Sequence, residues 1–305
     1  MISRMWGTNF LKIAGACLGI VVAITVFCTP LVQAQTRFGA QSPERQPARR
    51  QLWTIASPDT ATDSHAVLFR PAGNGPFRLA IIAHASTQNA LRRAQMPQPE
   101  YQALAQQLVA RGFAVLVPER PGHGATGGPY LEDQGGCDDA DYLKAGRATG
   151  DAIRAAIAFM QTQPFIRKDG TVVIGHSAGG LGALALASSD PKALSQIVVF
   201  APGRGGHADD RPRVVCAEAQ LVAAAGAFGK GARVPVTWLV AENDSYFSPA
   251  LSRRMAEAFR AEGGKVDFRL LPPSGDEGHW LAERGAVDMA AILDGAIKPT
   301  AIQPR

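Results

Sequence analysis

A serine in a glycine-rich turn is the first residue of this sequence with an evident chemistry. Residues 171–180, TVVIGHSAGG, join an apolar strand pattern to an Ala-rich helix pattern through the motif G-x-S-x-G. In such a sharp turn the serine takes strained dihedral angles, and the flanking glycines leave room for the neighbouring chain. We therefore predict that Gly175 and Gly179 form a nucleophile elbow around Ser177. A phosphate-binding turn is the alternative, but this turn has neither G-x-G-x-x-G nor G-K-[ST].

A serine hydroxyl needs a base to become a nucleophile, and the base needs a group that orients it. Of six histidines, His279 stands in a short loop after the last predicted strand and is the predicted general base. The other five have less suitable positions: His176 beside the serine, His84 at a strand end, His123 in a tight turn, His65 in an edge strand and His207 in a loop.

The carboxylate that orients the base is predicted at Asp244, which follows the apolar strand pattern 236–241. An aspartate there can accept the proton-bearing nitrogen of His279 and fix its tautomer. A helix cap or turn is the alternative role for Asp244. The rival acids are Glu242, Asp276 and Glu277. The chain order serine, aspartate, histidine is the one expected for a nucleophile elbow on an α/β sheet.

The elements that must position these residues alternate along the chain. Val- and Ile-rich runs alternate with helix-length segments, which indicates a mostly parallel sheet covered by helices. Eight strands are predicted, at 52–56, 65–69, 79–83, 113–117, 171–174, 196–201, 236–241 and 266–271, the first two forming an antiparallel ribbon at one edge. Helices are predicted at 100–111, 140–161, 178–187, 249–262 and 280–297.

Two irregular segments, 118–139 and 202–231, follow strands and should emerge at the rim of the sheet that carries function. Each contains one cysteine, Cys137 and Cys216, and we predict a disulfide between them. Closing a loop of this length stabilises a fold by about 4–5 kcal/mol in the chain-entropy model. The bridge is expected to fix a short lid over the site or to act as plain stabilisation.

The amino terminus has the pattern of an export signal. Residues 1–34 combine Arg4 and Lys12 with the apolar run 13–28 and a small-residue site at Ala34, which predicts a signal peptide. An uncleaved membrane anchor or lipidation at Cys17 are the alternatives. Residues 35–50 are predicted to be a flexible linker, which leaves 51–305 as one domain.

Composition narrows the classes of protein further. The chain of 305 residues is 46% hydrophobic and 19% charged, which excludes disordered, collagen-like and coiled-coil proteins. Residues 1–34 hold two of the 31 basic residues and none of the 26 acidic ones, so the net charge of +5 falls to +3 without them. So small an excess does not indicate a nucleic-acid partner.

The sequence resembles the α/β-hydrolase family from 52 to 297, and within it the dienelactone-hydrolase, serine-esterase and monoacylglycerol-lipase-like branches. The matching segments are Gly175-His-Ser-Ala-Gly179, Ala241-Glu-Asn-Asp244, Gly278-His279 and Arg120-Pro-Gly-His-Gly124. The resemblance implies a single α/β-hydrolase domain with helices on both faces of the sheet. It also implies an oxyanion hole formed by the backbone N–H groups of Ser86 and Ala178. Ala85 stands where the family usually has glycine, and it is the alternative first donor.

The predicted function is that of a periplasmic or secreted serine hydrolase that cleaves a small-molecule carboxylic ester through an acyl-serine. No cofactor or metal is expected, since the cysteines and histidines lack zinc-ligand spacing. Membrane contact is expected only through an uncleaved signal segment. A serine peptidase or amidase, a variant with peroxidative or acyltransferase chemistry, and a non-catalytic ligand-binding protein of the same fold remain open alternatives.

Overall fold

Parallel strand pairing builds the centre of the protein, a sheet of nine strands. The structure is a computed structural model that describes residues 37–190, 192–285 and 288–297. The strands are β1 (Gly39–Ala40), β2 (Gln51–Ala56), β3 (Asp63–Phe69), β4 (Arg78–Ala83), β5 (Phe113–Pro118), β6 (Thr171–His176), β7 (Leu194–Phe200), β8 (Val236–Ala241) and β9 (Val266–Leu271). They lie in the order β1-β2-β3-β5-β4-β6-β7-β8-β9. All eight predicted strands are present, and β1 is the ninth.

The sheet is antiparallel at one end and parallel over the rest. β1, β2, β3 and β5 pair antiparallel in that order, so the predicted β2–β3 ribbon is confirmed. From β5 through β4, β6, β7 and β8 to β9 every pairing is parallel. The carboxyl ends of the parallel strands therefore meet at one rim, where open α/β sheets bind ligands.

Helices cover both faces of the sheet. They are α1 (Ala90–Ala94), α2 (Gln102–Ala110), α3 (Tyr142–Met160), α4 (Ala178–Leu184), α5 (Glu218–Gly229), α6 (Pro249–Ala261), α7 (Leu281–Arg284) and α8 (Met289–Ala296). Successive β4 residues alternate between two cores: Leu79 and Ile81 pack in the core shared with α3–α6, and Ala80 and Ile82 in the core shared with α2, α7 and α8. Burial on both faces explains why the central strands are continuous apolar runs.

Three elements differ from the prediction. The predicted irregular segment 202–231 contains α5, and α1 was not predicted. The predicted helix 280–297 is interrupted, because α7 ends at Arg284 and Gly285 has a φ of +83°. Such an angle suits glycine and lies outside the helical region.

The predicted linker, residues 35–50, is part of the domain from residue 37 onward. The two residues of β1 pair with β2, and Phe38 packs edge-on against Phe159. Glu44 forms ion pairs with Arg49 and Arg70. These contacts place 37–50 against the domain, where a flexible linker had been expected. The predicted signal peptide lies outside the described residues.

Between residues 37 and 297, leaving aside 191 and 286–287, no helix is long and apolar enough to span a bilayer. The residues from 37 on that the structure describes form one compact unit.

Candidate active site

Ser177 occupies a strained turn between β6 and α4. Its dihedral angles are φ 54° and ψ −119°, and its N–H donates to the carbonyl of Phe200 at 3.0 Å. A Cβ on Gly175 would lie 2.6 Å from the carbonyl oxygen of Gly179, and one on Gly179 would collide with the carbonyl oxygen of Ala83. Only glycine fits at both positions, because a side chain at either would meet backbone atoms.

His279 and Asp244 form a buried pair. His279 lies in the 3₁₀ turn Gly278–Trp280, and Asp244 follows β8. The Nδ1 atom of His279 is 3.1 Å from Oδ2 of Asp244, and both side chains are almost fully buried. The other carboxylate oxygen, Oδ1, accepts the N–H groups of Tyr246 and Phe247 at 2.8 Å each. An ionised carboxylate can only accept, so Nδ1 carries the proton and Nε2 is left as the basic nitrogen.

Glu277 is not paired with the His279 ring but holds its backbone. Its carboxylate accepts the N–H of His279 at 2.9 Å, the N–H of Ser245 at 3.1 Å and the hydroxyl of Ser245 at 2.5 Å. Burial opposes ionisation of this carboxyl, but the hydrogen bonds outweigh burial and lower its pKa. Glu277 therefore ties the segment that carries Asp244 to the segment that carries His279. Glu242, another rival acid, has an exposed side chain.

Ser177 and His279 open into one cavity of about 530 Å³. Its walls come mainly from the segment after β4 and from the two segments that had been predicted to be irregular. Polar residues dominate these walls: Gln88, Asn89, Gln134, Arg204, His207, Asp209 and Asp210. A disulfide joins Cys137 and Cys216, whose Cα atoms are 4.6 Å apart, and both residues line the same cavity.

The backbone N–H groups of Ala85 and Ser86 differ in whether they are free to donate to a ligand. The N–H of Ala85 donates to the hydroxyl of Tyr101 at 3.0 Å, and so this alternative oxyanion donor is already occupied. The carbonyl of His84 accepts from Arg120, and the carbonyl of Ala85 accepts from Nδ1 of His84. Within the described part of the chain, the N–H of Ser86 has no acceptor. The N–H of Ala178 lies in the first turn of α4, where no intrahelical acceptor exists.

A directed chain of hydrogen bonds holds the Ser86 side chain. Burial, together with the charge of Arg120, lowers the pKa of His123 to about 2, so its imidazole is neutral. Nδ1 of His123 faces the carbonyls of Arg120 and Pro121 and must donate to them, which leaves Nε2 to accept from the Ser86 hydroxyl at 2.7 Å. The hydroxyl of Tyr130 lies 3.3 Å from Oγ of Ser86 and accepts in turn from Arg204 at 2.8 Å.

A second directed chain passes through His176, the residue before the nucleophile. Burial and the charge of His279 lower the pKa of His176 well below its ordinary value. Nε2 of His176 lies 2.7 Å from the carbonyl oxygen of His279, which can only accept. Nε2 is therefore the protonated nitrogen, and Nδ1 accepts from the Tyr101 hydroxyl at 2.8 Å. Tyr101 thus links Ala85 to His279 through His176.

A buried ion cluster supports the floor of the cavity. Glu132 pairs with Arg120 at 2.8 Å and with Arg204, and it accepts from the Thr149 hydroxyl at 2.5 Å. All four residues are buried, and they join the segments after β5 and β7 to α3. Sequence reasoning missed Tyr101, Glu132 and the positioning contacts of Glu277, because these residues lie outside any motif. Among the described residues, no group of three or more His, Cys, Asp or Glu side chains is arranged to hold a metal ion.

Comparison with known proteins agrees with this architecture. A family model described as serine aminopeptidase, S33, matches residues 98–230, which is less than half of the chain. No curated protein sequence matches significantly.

Among solved structures, a cold-adapted esterase from an Arctic intertidal metagenomic library is 19% identical, with a TM-score of 0.54 over 85% of this chain and 100% of that one. Est1E from Butyrivibrio proteoclasticus, with ferulic acid bound, is 16% identical, with a TM-score of 0.54 over 80% and 98%. The acylaminoacyl peptidase of Pyrococcus horikoshii is 11% identical, with a TM-score of 0.55 over 82% of this chain and 40% of that one. Together with the sheet order, these likenesses identify the protein as a member of the α/β-hydrolase fold class, as predicted.

Proposed function

We propose that the protein is an exported serine hydrolase that cleaves a carboxylic ester through an acyl-serine intermediate. The observation that carries the proposal is that Ser177 lines the same cavity as His279, whose Nδ1 contacts Asp244. The match to a hydrolase family and the fold shared with esterases support hydrolysis as the reaction.

The geometry supports the following sequence of steps. Oγ of Ser177 attacks the ester carbonyl carbon while Nε2 of His279 takes its proton, and Asp244 stabilises the resulting imidazolium. The N–H groups of Ser86 and Ala178 donate to the oxyanion, and each such donor contributes about 3–4 kcal/mol of transition-state stabilisation. His279 then gives the proton to the departing alcohol. A water molecule, deprotonated by His279, releases the acid from Ser177.

The charges of the cavity favour an ester over the free amino terminus of a peptide. An ammonium group calls for an available carboxylate. In the described lining of this cavity the acids are Asp209 and Asp210, both strongly exposed and facing Arg211 and Arg92. Export is supported by the pattern of residues 1–34 and by the disulfide, which persists in oxidising compartments.

The test is a substrate panel with two serine variants. The panel consists of p-nitrophenyl esters of increasing acyl length and aminoacyl p-nitroanilides. We expect ester hydrolysis in the parent and a loss of roughly 10⁴-fold or more in kcat/KM for Ser177→Ala. Ser188→Ala, which changes an exposed serine, should match the parent. Turnover of the anilides alone would assign the protein to the peptidases, and no turnover at all would assign it to non-catalytic members of the fold.

A further inference from the structure

A second cavity of about 460 Å³ lies beside the one that contains Ser177. The two cavities share a wall, which consists of Ala85, Ser86, Thr87, Arg92 and Trp280. The free N–H of Ser86 belongs to this wall. An ester whose carbonyl oxygen accepts from this N–H therefore has its carbonyl carbon close to both cavities.

The second cavity differs chemically from the first. Its inner surface is built from Met96, Pro97, Pro99, Tyr101 and Trp280. Met96, Pro99 and Trp280 are only partly buried, and Pro97 is exposed. Apolar side chains left open beside a reactive centre mark a place where a ligand is bound.

The cavity is also built rigidly. Pro97 and Pro99 fix two φ angles of the irregular segment 95–100, which lowers the entropy lost when a ligand orders it. Tyr101 at its base is buried in the left-handed conformation, with φ 48° and ψ 42°. Such strain persists only where surrounding contacts enforce it, and here the Tyr101 hydroxyl is held by Ala85 and His176.

Charged side chains also belong to the lining of this cavity. Glu100 is paired with Arg50 at 2.5 Å, and Arg92 faces Asp210 at 3.4 Å. Glu283 is exposed by surface area, and partial burial of its carboxyl raises its pKa. The apolar inner surface therefore fits an uncharged group better than an ammonium or a carboxylate.

From this arrangement we propose that the second cavity binds a bulky hydrocarbon group of the ester, while the polar part of the substrate occupies the cavity of Ser177. The proposal rests on the ester hydrolysis proposed above. It defines the substrate class as esters that join a bulky uncharged hydrocarbon group to a polar group. The hydrocarbon group belongs to either the acid or the alcohol, and two substrate series separate these cases.

The experiment uses two series of esters. The first consists of methyl esters of acids whose hydrocarbon group grows up to cyclohexylacetate. The second consists of acetates of the corresponding alcohols. We expect kcat/KM to rise about fourfold for each CH₂ group buried, in one of the two series. Met96→Trp fills the cavity and should abolish this rise. The matched control, Leu131→Trp, changes a separate cavity of about 500 Å³ and should behave as the parent.

Three results would overturn the proposal: no rise in either series, the same rise in Met96→Trp as in the parent, or a preference for methyl phenylalaninate over methyl phenylpropanoate that Glu283→Gln removes. If no ester of either series is hydrolysed, the proposed function fails, and the cavity is tested by calorimetry with 2-phenylethanol. Binding to the parent that Met96→Trp abolishes supports the apolar subsite. No binding, or equal binding to both, refutes it.

Discussion

At the scale of single residues, the imidazole of His176 joins three parts of the proposed machinery. It directly precedes Ser177, it donates to the backbone of His279, and it accepts from Tyr101, whose hydroxyl also holds Ala85. The spacing between the base and the oxyanion segment therefore depends on two side chains that do not contact the reacting atoms. We regard Tyr101 and His176 as positioning residues.

Replacing Tyr101 by Phe removes only the hydroxyl that joins the N–H of Ala85 to Nδ1 of His176. The N–H of Ala85 and Nδ1 of His176 both lose their partner, and an unsatisfied buried group costs about 1–3 kcal/mol. We expect this cost to raise the free energy of the transition state more than that of the bound substrate. The kcat for a p-nitrophenyl ester should then fall by roughly 10- to 100-fold, with KM changed little. Tyr142→Phe is the control, because it removes the hydroxyl of another buried tyrosine, one that binds the carbonyl of Cys216. Equal kcat values for the parent and Tyr101→Phe would refute the positioning role.

The sequence predicts the residues that a motif carries and misses those that only the fold brings near. Ser177, Asp244 and His279 follow from a turn motif and from strand ends, and the structure brings the last two into contact. Tyr101 and His176 are 75 residues apart in the chain, and no local pattern connects a tyrosine at a helix start to an elbow. The excluded oxyanion donor, Ala85, could likewise be identified only once the Tyr101 hydroxyl was located.

At the scale of elements, parallel strands do most of the positioning. Each of the eight predicted strands ends within two residues of its observed bounds, because burial on both faces leaves a continuous apolar run that is readable in the sequence. The helix α5 was missed although Ala, its commonest residue, has the highest helix propensity. β1 is too short to leave a pattern, since it has only two residues.

The ion cluster of Glu132 connects these elements, and Glu132→Gln tests its contribution. The variant leaves Arg120 and Arg204 buried without their counter-charge, and breaking a buried pair in this way costs about 3–5 kcal/mol. Glu44→Gln is the matched control, because Glu44 also pairs with two arginines but at the surface, where ion pairs contribute about 0–1 kcal/mol. Urea unfolding measures the free energy of unfolding of both variants. A similar loss of this free energy in the two would contradict the role given to the buried Glu132 cluster.

At the scale of the whole molecule, the titration of buried histidines links stability to pH. Burial is the main cause that lowers the pKa of His84, His123 and His176, and nearby positive charges add to it. In the unfolded chain each of the three has a pKa of about 6.5. Below that pH the unfolded state binds protons that the folded state does not, so the stabilisation present above pH 6.5 is lost as the pH falls.

We expect the free energy of unfolding to drop steeply between pH 6.5 and 5. Each histidine contributes up to about 1.4 kcal/mol per pH unit, and the three together about 4 kcal/mol per unit. Urea unfolding at pH 7, 6 and 5 measures how steeply the free energy of unfolding depends on pH. His123→Gln should reduce this slope by the contribution of one histidine, about 1.4 kcal/mol per pH unit. His65→Gln, at an exposed position, is the control and should keep the parent slope. A free energy of unfolding that is constant from pH 7 to 5 would refute this prediction.

The claim on which the mechanism depends is that Ser177 forms a covalent acyl-enzyme. A fluorophosphonate, which reacts with activated serines, tests this claim by mass spectrometry of the intact protein followed by peptide mapping. We predict one adduct per chain, located on Ser177, and no adduct in Ser177→Ala. Failure of the parent to react, or an adduct that persists in Ser177→Ala, would contradict it.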